Sequence, residues 1–367
     1  MCDTKKYLIT ITNTICPTSM AYYEFVLYRR EFFPDEKHIL LIPFDTENPS
    51  PDFNDPDVYY CGLDLKKIRK TAKETAERCE KEGASYAFHI HEGKSVILFN
   101  IATRFKYRKK IVYTVHSTYT KYKFHNKLFA RIASRISKYL VCVSKTSFKY
   151  FPARIKKRMK NRAVCIPNGV DVNRVDRICA QNPPQRAAGE RLRLVYTARF
   201  MPSKNHELLI ELIKANKKAE LLLLGDGPCF EAIKESAKTN SVEDRVFFAG
   251  MVERDDVYKM IAESDVYVSP CLFEGLPISV LEAMACGKIC LLSDIEQHAE
   301  IAESCKSLIT VKNDLDSWKQ ALDKIMSMST EEREKIGAEN KKSVAKNYSL
   351  KTMHEQYTKI YELLWNK

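Results

Sequence analysis

Apolar positions along the chain fall in short runs: YLITIT (7–12), HILLIPF (38–44), YAFHIH (86–91), KIVYTVH (110–116), LVCVSK (140–145) and AVCIPN (163–168). Their β-branched content and flanking turn residues predict buried strands. Helical spacing fills the stretches between them at 64–82, 94–104 and 126–138. Strands alternating with helices predict a parallel sheet covered on both faces. QNPPQRAAGE (181–190) interrupts this with a double proline and small residues, the composition of a linker. A second series follows, with strands RLVYTARF (193–200), AELLLLG (219–225), VFFAG (246–250), DVYVSPC (265–271) and KICLLSD (288–294). The pattern predicts two α/β units with a cleft between them, the first spanning 1–183 and the second 184–346. Such sheets take ligands at the carboxyl ends of their strands.

Length agrees, since 367 residues exceed one ordinary core. A composition 45% hydrophobic and 29% charged is that of a globular protein. No run reaches the ~18–20 apolar residues of a membrane span. MCDTKKYLITIT reads as a strand, with no signal peptide. The 12 cysteines lie singly, without C-x2-C pairs, and read as core residues in a reducing compartment. Together these features predict a cytoplasmic protein.

Charge changes the picture more. The net charge of +13 comes from residues 1–185, with 34 Lys+Arg against 18 Asp+Glu, while the remainder holds 26 against 29. Residues 101–170 hold 19 Lys+Arg and no Asp or Glu.

The second half carries the candidate chemistry. Arg199 and Lys204 lie near the carboxyl end of one strand, where a guanidinium and an ammonium can hold a diphosphate. Exposed cations with no ligand are the plainer reading of the pair. LLLLGDGP (221–228) permits a tight turn, and the strand ending at Gly250 can turn backbone groups toward a flat base. FEGLPISVLEAMACG (273–287) predicts a strand exit, a helix opening near Pro277 and a stop at Gly287. Free N–H groups near Gly275–Ser279 then form an anion site. Glu282, amid apolar helix residues, needs hydrogen-bond donors if buried, and ribose hydroxyls are one candidate.

The pair Glu274 and Glu282, with ARFMPSKN, LLGDGP and FFAGMV upstream, resembles a family 4 retaining nucleotide-sugar glycosyltransferase. HIHEG (89–93), YTVHSTY (113–119), VCVSK (141–145) and IPNGVD (166–171) are similar to that family's acceptor domain. YSLKTMHEQYTKIYELL (348–364) resembles its closing helix. The resemblance implies the GT-B fold: two Rossmann-like doubly wound domains facing a central cleft, with residues 347–367 crossing back to the first domain. It implies that Arg199 and Lys204 neutralise the leaving diphosphate, Glu282 holds the ribose, and Glu274 holds the transferred sugar. Gly275, Leu276 and Pro277 would pack beside sugar and phosphate, and the segment from Gly250 to Val252 would line the base. His116 would sit near the anomeric carbon and the acceptor, orienting more than moving protons. The implied reaction moves a sugar, most simply from a UDP-sugar, to a glycan acceptor with retention of configuration. No metal or other cofactor is implied.

The chain departs from the family at TNTICPTSMAYYE (12–24), which lacks glycine, at Lys288, and at SDIEQHAEI (293–301), which replaces a glycine-rich turn. DPD (55–57) and DLD (314–316) match a metal-binding D-x-D but read as turns. His89 and His91 share one strand face and, without a third ligand at fixed spacing, read as ordinary hydrogen-bonded histidines.

For the basic stretch, three readings compete. A polyanion- or nucleic-acid-binding protein would use such cations with interleaved aromatics, but no nucleic-acid motif is present. An anionic membrane surface or a lipid-linked glycan acceptor, as in O-antigen, capsule or lipopolysaccharide assembly, fits better. A solvated face is the third. A phosphorylase or epimerase on the same fold is the remaining alternative, since fold does not fix function.

Overall fold

Residues 5–13, 25, 28–45, 57–116, 118–119, 122–182 and 191–365 are described by a computed structural model. The glycine-poor loop from Thr14 to Glu24, Asp55 of DPD and the proline-rich residues 183–190 lie outside them. The chain divides into one unit of Met1–Asn168 with Leu350–Lys367 and a second of Gly169–Ser349.

Among the described residues the first unit carries seven parallel strands: β1 (Lys6–Ile11), β2 (Glu36–Ile42), β3 (Val58–Tyr60), β4 (Ser85–Ile90), β5 (Ile111–Val115), β6 (Tyr139–Cys142) and β7 (Ala163–Cys165). Their order is β3-β2-β1-β4-β5-β6-β7. Central strands buried on both faces have no room for polar alternation, and every residue of β5 and β6 is buried. Helices Leu65–Lys81, Gly93–Ala102 and Phe124–Ile136 cover one face.

Helix Leu350–Trp365 covers the other. Its Met353, Tyr357, Ile360, Tyr361 and Leu364 follow helical spacing and pack on Leu8, Leu40, Ala87, Val112 and Val141. Buried Arg29 fastens this helix. Its Nε and Nη2 donate to Glu36 at 3.0 and 2.6 Å, and its Nη1 donates to the His354 carbonyl at 2.9 Å and to Thr358 Oγ1 at 2.8 Å.

The second unit repeats the plan with β8 (Leu192–Thr197), β9 (Ala219–Leu224), β10 (Val246–Gly250), β11 (Val266–Ser269), β12 (Ile289–Ser293) and β13 (Ile309–Val311), ordered β10-β9-β8-β11-β12-β13. In each sheet the winding reverses beside its first strand, at β1/β4 and β8/β11. Those are the switch points where α/β sheets open a crevice.

The division falls between Asn168 and Gly169, earlier in the chain than a 183/184 boundary. Helix Val172–Gln181 packs on helices Arg254–Ala262 and Ile278–Ala285 of the second unit. Arg174 Nε also donates to Asp255 Oδ1 at 2.7 Å. Proline content marks a break in pattern, whereas packing decides which side a helix joins. Among the described residues ten cysteines are free, and no helix is long and apolar enough to cross a membrane.

Candidate active site

The β8/β11 switch point is assembled from two strand exits. Beyond β8 the chain runs through Ala198, Arg199 and Phe200, and the Gly-Asp-Gly exit of β9 lies directly against it. A Cβ on Gly225 would stand 2.2 Å from the Ala198 carbonyl oxygen, and one on Gly227 2.5 Å from that of Phe200. The glycines therefore permit a backbone contact sealed by Phe200 N–H donating to the Asp226 carbonyl at 3.0 Å. Phe200 is fully buried and stacks on His206 at 4.1 Å. The loop bearing Arg199 is thus braced, while the Arg199 side chain is exposed and forms no ion pair with described residues.

Lys204 ends the short turn Pro202–Lys204, and its Nζ pairs with Glu274 Oε1. The same carboxylate oxygen accepts from Cys271 Sγ at 3.1 Å. Tyr196 OH donates to the Lys204 carbonyl at 3.1 Å, fixing the turn from beneath. Burial opposes the ammonium charge, but Glu274 and Cys271 together outweigh it and hold the Lys204 pKa above its ordinary value. The sequence treated Lys204 and Glu274 as separate grips on diphosphate and sugar. The structure brings them onto each other, 70 positions apart in sequence. An ammonium has three donors, so pairing with Glu274 leaves capacity for an anion.

Helix Ile278–Ala285 begins after Pro277, which stands at the N-cap rather than inside the first turn. Leu276 and Pro277 are buried and Gly275 is half-buried. Gly287 follows the C-cap at φ 71°, the left-handed stop its position called for.

Glu282 is 8% exposed. Its Oε1 accepts from Arg254 Nη2 at 2.9 Å and from Tyr258 OH at 3.2 Å. Burial raises the Glu282 pKa, and Arg254 and Tyr258 restrain the rise. The donors that its burial requires thus come from helix Arg254–Ala262, so burial alone does not call for a ribose. At the base-lining segment, the Gly250 carbonyl accepts from Gly225 N–H at 2.8 Å, and Val252 is half-buried.

His298 was left unplaced by sequence, although its segment replaces a glycine-rich turn. It lies fully buried in helix Glu296–Ala302, with Nδ1 donating to the Ser293 carbonyl at 2.8 Å. Burial lowers its pKa, and the charges of Glu274 and Lys204 both act on it. It is therefore a neutral imidazole beside the ion pair.

In the first unit His116 follows β5 at its carboxyl end. His91 Nδ1 and His116 Nε2 share a hydrogen bond of 3.0 Å. The rings of His89 and His91 are 4.0 Å apart, on one strand face as alternation requires. His89 is held by Tyr361 OH at 2.7 Å and Thr114 Oγ1 at 2.8 Å. Burial pushes His116 down to about 3 and His89 and His91 well below their ordinary value. A neutral imidazole at pH 7 suits orientation better than proton donation.

The described aspartates Asp57 and Asp314 of the two D-x-D matches have partners within the chain. Asp314 caps helix Leu315–Ser327 by accepting from Ser317 N–H at 2.8 Å. Asp57 accepts from Arg78 at 2.9 Å.

The family described as Glycosyl transferases group 1 matches residues 179–343, and Glycosyltransferase Family 4 matches 47–174. EpsF of Bacillus subtilis (strain 168) is 28% identical over 186 residues, 48% of each chain. The chain thus spans about half the length of that curated relative. The Escherichia coli UDP-Gal:alpha-D-GlcNAc-diphosphoundecaprenol alpha-1,3-galactosyltransferase is 28% identical over 272 residues, 68% of this chain and 70% of that one. Anabaena HepE, solved in complex with UDP, superposes with a TM-score of 0.76 at 14% identity, covering 98% of this chain and 100% of that one. With two doubly wound units of this order, and family matches over both, the chain belongs to the family 4 glycosyltransferases of GT-B fold.

Proposed function

We propose that the chain transfers a sugar from a UDP-sugar to a glycan acceptor, lipid-linked, in cell-surface polysaccharide assembly. The observation that carries this reading is the Lys204–Glu274 pair at the β8/β11 switch point. Exposed Arg199 precedes Lys204 in the same strand exit, and helix Ile278–Ala285 starts shortly after Glu274. Cations and a helix N-terminus stabilise negative charge growing on a departing diphosphate, and such electrostatic terms are usually the largest in catalysis. Glu274, already neutralised by Lys204, would accept from sugar hydroxyls. Glu282, oriented by Arg254 and Tyr258, would take the ribose, with Gly250 and Val252 beside the base. His116 would orient the acceptor as a neutral group. The reaction would retain configuration and use no metal.

The UDP reading is supported by HepE, solved with UDP and glucose. The lipid-linked acceptor is supported by the Escherichia coli relative, whose name specifies a diphosphoundecaprenol acceptor. The basic stretch 101–170 would add attraction to an anionic membrane of about 1 kcal/mol per cation near the surface.

A thermal-shift screen against UDP- and GDP-sugars tests the donor, because a ligand that binds only the folded state raises the melting temperature. A shift with GDP-mannose alone, the donor named for a Corynebacterium glutamicum relative, would replace the UDP reading. Lys204→Ala should lower turnover at least ~tenfold, about 1.4 kcal/mol of transition-state stabilisation. Unchanged turnover in a folded variant removes Lys204 from the mechanism.

A further inference from the structure

At the amino ends of β5, β6 and β7, a cavity of about 580 Å3 is walled by cations. Arg108 and Lys110 precede β5, Lys138 precedes β6, and Arg158 and Arg162 precede β7. Arg135 joins them from the last turn of helix Phe124–Ile136. Among the described residues no Asp or Glu lines this cavity, and the sequence offers none between 101 and 170. Converging like charges repel one another unless an anion lies between them.

Ser137 supplies a second, independent sign. It is 2% exposed, it lines the same cavity, and its Oγ has no hydrogen-bond partner among the described residues. A buried hydroxyl left unpaired is costly, and one that persists calls for a group that completes it. Guanidinium forks grip phosphate oxygens bidentately, and a serine hydroxyl donates to a remaining one.

We propose that this cavity binds a phosphate-bearing anion, with Ser137 Oγ donating to a phosphate oxygen inside a ring of arginine and lysine. His116 stands at the other end of β5, and five residues at ~3.3 Å each put roughly 17 Å between them. The cavity is therefore a binding site apart from the reacting sugar, and it does not depend on the choice of donor. A soluble phosphate ester and the headgroup of an anionic lipid offer the same chemistry.

The test uses the full chain carrying Lys204→Ala, which weakens diphosphate binding at the donor site. Inorganic diphosphate is titrated by calorimetry, and vesicles of phosphatidylglycerol with phosphatidylcholine are co-sedimented, both at low salt. Adding Arg135→Gln with Arg158→Gln, both exposed positions, should weaken binding by at least about tenfold, and Ser137→Ala by about three- to tenfold. Diphosphate binding without vesicle binding assigns a soluble ligand. Vesicle binding displaced by diphosphate assigns a headgroup. Binding of neither probe, or full-strength binding by the folded double-arginine variant whatever Ser137→Ala does, overturns the proposal.

Discussion

Mild acid should weaken the two units unequally, because histidines withdrawn from water are shared unevenly between them. Of the eight histidines, seven are held below their ordinary value, with desolvation the first cause in each. His38 and His116 are pushed to about 3 and His206 to about 4. His89, His91 and His354 fall well below the ordinary value, and His298 falls below it. An unfolded histidine takes up a proton near 6.5 that the folded one refuses. Each thus contributes stability that is present above pH 6.5 and lost as pH falls. Between pH 6.5 and 5.5 the loss is about 1 kcal/mol per histidine.

His38, His89, His91, His116 and His354 belong to the first unit, and His206 and His298 to the second. The first should therefore lose about 5 kcal/mol and the second at most about 2 kcal/mol. The raised carboxyls of Glu36 and Glu282 act in the opposite sense, one in each unit, so they bear little on the difference. The chain's two tryptophans divide equally: Trp365 is buried in the first unit and Trp318 in the second. Urea titrations of Trp318→Phe and Trp365→Phe, followed by fluorescence at pH 6.5 and 5.5, report each unit separately. Equal losses, or a larger loss at Trp318, would refute the reasoning.

Arg254→Gln strands the buried Glu282 carboxylate and should cost the second unit about 3–5 kcal/mol at neutral pH in urea. Glu282 has a raised folded pKa, so its share of stability is full below about 4.5 and lost as pH rises. The Arg254→Gln penalty should accordingly shrink at pH 5, and a pH-independent penalty would mean lost packing instead. Gly337→Ala would set a Cβ 1.9 Å from the Gly287 carbonyl oxygen. With backbone on both sides, helix Thr330–Asn347 must shift, at about 1–3 kcal/mol. An unchanged melting temperature would contradict that close approach.

Strands were legible wherever burial on both faces made them continuous apolar runs, as in β5 and β12. The three-residue edge strands β3 and β13 were not, although β7, equally short, was read within AVCIPN. Long-range pairs were the larger loss. The need of Glu282 for donors if buried is legible in the sequence, but no local rule links it to Arg254, because that contact depends on how two helices pack. Lys204 and Glu274 were each picked out, yet their pairing comes from adjacency of β8 and β11, a property of sheet order. His298 went unassigned because its motif had been replaced, leaving no pattern to align it with.

Helix Leu350–Trp365 completes the core of the first unit, yet the ribosome makes it after the whole of the second. At about 5–20 residues per second, roughly 10–40 s separate Asn168 from that helix. Throughout that interval the apolar face formed by Leu8, Leu40, Ala87, Val112 and Val141 lacks its cover. The second unit, continuous in sequence, can finish folding first. The nascent first unit must wait as an incomplete sheet, and in that window a chaperone would have an apolar surface to shield.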